Sequence, residues 1–121
     1  MVEQALLWPP VTKDKIDAAR TWFEKALKVD PNSSDALAGD AHTYALEFAF
    51  GSKNSETDYD AKILGQADRS ITLDRDNIQA YLSKSLYLLV SSRPNDAIRA
   101  ANIGLSIDPK FRTSARGAKH R

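Results

Sequence analysis

Ala26-Leu27-Lys28-Val29-Asp30-Pro31-Asn32-Ser33-Ser34-Asp35-Ala36-Leu37 carries a helix stop followed at once by a helix start. Proline has no backbone N–H and disfavours helical backbone in the residue before it, so Asp30-Pro31 ends one helix. Asn32, Ser33 and Ser34 then offer side-chain oxygens to the free N–H groups of the next. The same order returns further on. Ser70-Ile71-Thr72-Leu73-Asp74-Arg75 is followed by Asp76-Asn77-Ile78-Gln79-Ala80-Tyr81, and Gly104-Leu105-Ser106-Ile107-Asp108-Pro109 gives the ending a third time. Each ending reads small, aliphatic, polar, aliphatic, Asp, then Pro or Arg. Arg75 and Pro109 are 34 residues apart, and Pro31 and Arg75 are 44 apart, one such period plus ten. Ala36 and Ala80 fall in register. A period of this length points to stacked helical hairpins.

Between the stops the apolar residues keep helical spacing. Ala19, Phe23, Ala26 and Leu27 share a face, as do Ile63, Ala67, Ser70 and Ile71, and Ala97, Ala101, Gly104 and Leu105. Small residues on those faces let helix axes approach to roughly 8 to 10 Å. The spacing predicts five helices, over 13–29, 34–50, 59–73, 77–91 and 95–107. The polar stretch Gly51-Ser52-Lys53-Asn54-Ser55-Glu56-Thr57-Asp58 reads as the loop that absorbs the extra ten residues.

Composition agrees with one helical domain. The chain has 121 residues, 42% hydrophobic and 27% charged, enough apolar side chains to build a core and too few charges for a disordered chain. The absence of Cys excludes disulfides, thiolate zinc sites and a Cys nucleophile together, and is compatible with a reducing cytoplasm, the expected location. Ala5, Leu6, Leu7 and Trp8 form a short apolar run with Glu3 ahead of it and no basic flank, which does not suit a signal peptide. No apolar run reaches the ~20 residues of a membrane span, so the chain reads as soluble. The net charge of +1 conceals an asymmetry: Lys110, Arg112, Arg116, Lys119 and Arg121 sit in an acid-free tail, leaving 12 basic residues against 16 acidic in the rest.

A 34-residue helix-turn-helix unit with small residues in its second helix, an aromatic among them and an Asp-Pro ending resembles the tetratricopeptide repeat. Ala19, Phe23, Ala26 and Pro31 match that family's second-helix pattern, and Ala36, Leu37, Ala41 and Tyr44 its first-helix pattern. In the last unit Tyr81, Ser85, Leu88, Ala97 and Pro109 match, while Ala101 stands where an aromatic is expected and Gly104 where Ala is expected. The middle second helix departs further, with Ile63, Ala67, Ser70 and Arg75 at the diagnostic places. The resemblance implies an all-α superhelix of antiparallel hairpins, about five to six helices, over 12–109. It divides into a partial repeat at 12–33, a repeat at 34–77 with an insertion at 51–58, and a repeat at 78–109. Residues 1–11 would be the remnant of a preceding helix, and 110–121 a disordered basic tail.

No constellation for catalysis emerges, and neither an enzyme activity nor a cofactor is expected. His42 is the single His within the repeats, and a lone helical His more often packs than ligates. Asp58 and Asp60 flank Tyr59 but lack the alternating ligands of a calcium loop, and acids at a helix start complement its dipole. There is no phosphate-cradling glycine loop. The basic tail suits phosphate contacts in principle, but its interruption by Ser, Thr, Ala and Gly favours a solvated terminus, so nucleic acid is not an expected partner.

The family resemblance instead implies a concave groove that holds a peptide or helix. It places His42, Ala45 and Leu46 in one repeat, and Leu82, Leu86, Leu89 and Val90 in the next, along or near that surface, with core packing the competing reading for Leu86 and Leu89. Ala38, His42, Leu82 and Leu86 leave no cationic clamp for a terminal carboxylate. The expected function is a protein-binding scaffold or adaptor, with homo-oligomerisation through uncapped ends as one mode. The alternative is an accessory repeat segment of a larger bacterial signalling protein, such as a nucleotide cyclase or transcriptional regulator.

Overall fold

The computed structural model describes residues 12–50 and 54–107. The expectations for the N-terminal segment, for 51–53 and for the basic tail lie outside the described residues. Every regular element within them is helical. Helix α1, Lys13–Val29, starts where the Thr12 hydroxyl accepts from Lys15 N–H at 3.2 Å. Helix α2, Ser34–Ala49, starts where Ser33 Oγ accepts from Ala36 N–H at 3.2 Å. A π-helical turn, Asp60–Gly65, runs directly into α3, Gln66–Leu73. Helix α4, Ile78–Val90, is capped by Asn77, whose Oδ1 accepts from Ala80 N–H at 3.3 Å, and α5 spans Pro94–Ile107. The five expected helices are therefore present. The correction is the widened π turn at the start of the third, which buries Ile63 completely.

The repeated helix stop is one turn built twice. Asp30 Oδ1 accepts from Asn32 N–H and Asp74 Oδ1 from Asp76 N–H, both at 3.0 Å. Their carbonyls accept from Ser33 and Asn77 N–H at 3.2 and 3.1 Å. The backbone of Asp30 (φ −139°, ψ 94°) and of Asp74 (φ −148°, ψ 100°) is nearly the same. Arg75 thus stands in for Pro31 without altering the turn, because the Asp carboxylate makes the bonds that shape it. A third stop works differently. Arg93 N–H bonds the Leu88 carbonyl at 2.7 Å and Ser92 N–H that of Leu89 at 3.2 Å, with Ser92 left-handed at φ 66°, before Pro94 opens α5.

Helix α2 lies at the centre, touching α1, the π turn, α3 and α4; α4 touches α2, the π turn, α3 and α5. Among the described elements α1 packs on α2 alone and α5 on α4 alone, so the end helices do not meet. Where α2, α3 and α4 converge, Ala38, Ala41, Ala67 and Ala80 are fully buried. Side chains this small are what permit three axes to crowd together. Beyond them Tyr44, Ala45, Tyr59, Ile63 and Tyr87 form a larger cluster, with the Phe48 ring edge-on to Tyr59 and Tyr87 at centroid distances of 5.2 and 5.1 Å. The two Asp turns are also pinned together. Ser34 and Ser70 exchange hydroxyl-to-carbonyl bonds of 2.9 and 2.8 Å, and Asn77 Nδ2 donates to Ser34 Oγ at 2.9 Å and Asp35 Oδ1 at 3.1 Å. No helix among the described residues is long and apolar enough to cross a membrane.

Candidate functional site

Helices α1 and α2 diverge around a groove of about 430 Å³ walled by Ile16, Ala19 and Phe23 on one side and Gly39, His42 and Leu46 on the other. Its walls are mainly apolar because the inward face of α1 repeats at helical spacing. The Phe23 ring packs close against Gly39, where an added Cβ would come within 2.8 Å of Phe23 Cδ1 and nearer still to Cε1 and Cζ. Position 39 must therefore lack a side chain for the ring to sit there.

His42 forms one end of this wall. Its Nδ1 lies 3.3 Å from Ser83 Oγ, whose own proton goes to the Gln79 carbonyl at 3.0 Å. That leaves the serine oxygen to accept and assigns the imidazole proton to Nδ1. Burial holds the His42 pKa below the ordinary histidine value, so the neutral ring is favoured. Ser83 is fully buried with its proton committed, which makes the pair a packing contact joining α2 to α4.

The structure distributes the other expected groove residues unevenly. Leu46 lines the α1–α2 groove beside His42. Ala45 is a correction: it is fully buried against the tyrosine cluster and presents no surface, because it faces the π turn. Leu86 is partly buried against the same cluster, the core reading of that residue. Leu82, Leu89 and Val90 are exposed on α4, by 39%, 59% and 39%. Thus His42 and Leu46 share one groove, while the exposed leucines and valine belong to α4 and are joined to it through the Ser83 contact.

A buried charged cluster lies behind the groove, and the sequence reading missed it. Arg20 reaches from α1 to Glu47 at 2.9 Å and donates from Nε to Thr43 Oγ1 at 3.2 Å. Its guanidinium carbon stands 3.7 Å from the centre of the Tyr44 ring. Glu47 also accepts from the Tyr59 hydroxyl, which in turn accepts from Asn54 N–H at 2.7 Å and so ties the inserted loop to the core. Asp40 accepts from Gln66 Nε2 at 3.0 Å; burial pushes its carboxyl pKa up, with the Gln66 bond opposing. Arg20 Nη2 and Asp40 Oδ1 are buried without a hydrogen-bond partner. The signal was present: Asp40, Tyr44 and Glu47 recur at helical spacing and share one face of α2.

The acids flanking Tyr59 have structural bonds. Asp58 Oδ1 accepts from Ala61 N–H at 3.1 Å, and Asp60 pairs with Arg93 at 3.0 Å while accepting from the Tyr87 hydroxyl. Burial, reinforced by that bond to Asp60, pushes the Tyr87 pKa up to about 12. Among the described residues no three His, Cys, Asp or Glu side chains are grouped to hold a metal ion. No family model, curated protein or solved structure matches this chain.

Proposed function

We propose that this chain is a tetratricopeptide-type stack of helical hairpins that serves as a scaffold, holding a peptide, a helix or a sister subunit. The observation that carries the reading is the exposure of Leu82, Leu89 and Val90 on α4. Positions 82, 89 and 90 are separated by seven and eight residues, so they share one helix face and form an apolar stripe in contact with water. Stripes of this kind mark surfaces that other chains cover, and helix-in-groove recognition uses the same spacing. Burying it would favour association at roughly 25 cal/mol per Å² before ordering costs. The repeated Asp turns and the contacts of α2 and α4 with their neighbours support the stacked arrangement.

Affinity capture with the intact chain, run beside a Leu82→Asp/Leu89→Asp variant and paired with light scattering, tests this. A protein held by the wild type and lost by the variant at an unchanged melting temperature, or a self-association lost in the same way, is the expected result. Identical captures and identical scattering for both chains would overturn the proposal.

A further inference from the structure

The internal repetition extends from the turns to what lies across them. Helices α1 and α2 flank the first Asp turn as α3 and α4 flank the second, with matching hydrogen bonds at both. The second pair has an element seated in its crook, since α2 packs on both α3 and α4. The matching place on the first pair is the groove between α1 and α2.

We infer that this groove is the seat of the chain's own segment Ala5-Leu6-Leu7-Trp8, docked within the same molecule. Three features point to that occupant. The segment is tethered beside the groove, for Trp8 precedes the Thr12 cap by four residues and Ile16 lies in the second turn of α1. Its length fits: Ile16 to Phe23 covers about 10 Å of helix axis at 1.5 Å per residue, within the reach of four residues of extended chain at about 13 Å. Its chemistry fits as well, with four uncharged apolar residues facing walls of Ile16, Ala19, Phe23 and Leu46. Lys15 at the rim is opposite in sign to Glu3. Pro9-Pro10 disfavours a helix running unbroken from this segment into α1. The inference does not rest on the scaffold reading. It assigns the His42 and Leu46 face to the chain itself and leaves the α4 stripe for partners.

Trp8 and Trp22 are the two tryptophans, and Trp22 is 66% exposed, so the full chain carrying Trp22→Phe reports on Trp8 alone. The folded protein should show blue-shifted emission and several-fold less acrylamide quenching than the same chain in urea. Leu46→Asp should abolish both effects with helical circular dichroism intact. Should Leu46→Asp fail to fold, Leu6→Ser/Leu7→Ser, outside all five helices, should instead raise binding of an apolar dye at the vacated groove. Equal quenching of Trp8 in folded and unfolded chains, or protection that survives Leu46→Asp in a folded protein, overturns the inference. Protection that disappears on dilution overturns it too, by placing the segment in a second copy.

Discussion

Gly39 and Gly65 both lie in helical backbone, yet the same substitution should act on them with opposite sign. Alanine is the better helix former by about 1 kcal/mol. At Gly65 an added Cβ meets nothing within 4 Å, so Gly65→Ala should stabilise by about 0.5 to 1 kcal/mol. At Gly39 it meets the Phe23 ring, and the overpacking should outweigh the propensity gain, for a net loss of about 1 to 2 kcal/mol. Urea midpoints of the two variants check the pair, and Gly39→Ala with Phe23→Leu should recover part of the loss. His42 gives a pH dependence. Because burial lowers its pKa in the fold, the unfolded chain takes up the proton first. Stability is therefore whole above the ordinary value of about 6.5 and falls as pH drops through it. Urea titrations at pH 7 and pH 5 should show a smaller drop for His42→Gln than for the wild type. Asp40 acts in a lower window and with the reverse slope, since its raised pKa makes rising pH costly through the carboxyl range.

At the scale of elements, the Asp turns and the charged cluster carry the specificity. Asp74→Ala should cost about 1 kcal/mol by removing the acceptor that shapes the second turn. Arg75→Pro should be neutral or stabilise by up to about 1 kcal/mol, since the backbone before it already matches that before Pro31; thermal melts distinguish the two. Arg20 joins α1 to α2 through Glu47, and Arg20→Met should destabilise by about 3 kcal/mol because Glu47 is left buried with a single neutral partner. Arg20→Met/Glu47→Leu should lose less than the sum of the single changes in a double-mutant cycle. These elements differ in how readily the sequence discloses them. Helix boundaries were legible to within about a residue because Asp30-Pro31, Ser33 and Asn77 are local signals, each acting on its own turn. The π turn was not, because a single residue's excess within Asp60–Gly65 leaves the apolar spacing of Ile63 and Ala67 looking regular. The groove was half legible: the family resemblance placed His42 and Leu46 along it, but neither resemblance nor spacing could tell that Ala45 turns towards Tyr59 while Leu82 does not. Arg20 escaped notice because its partner Glu47 is 27 residues away.

Across the whole molecule, protection from solvent should follow contact order along the stack. Amide hydrogen exchange should be slowest in α2 and in the α4 segment around Ala80 and Ser83, where the alanine cluster is dry, and faster in α5, which packs on one neighbour. Uniform protection in all five helices would mean the chain unfolds only as a unit. The failure of α1 and α5 to meet has a wider consequence. No contact in the described residues sets an upper limit on the number of helices, so another hairpin grafted after α5 would add an interface without severing any. Excising α2 would do the reverse and leave α1 with no neighbour among the described helices. The architecture is thus tolerant of growth at its edges and intolerant of loss in its middle, an asymmetry that insertion and deletion scanning would expose directly.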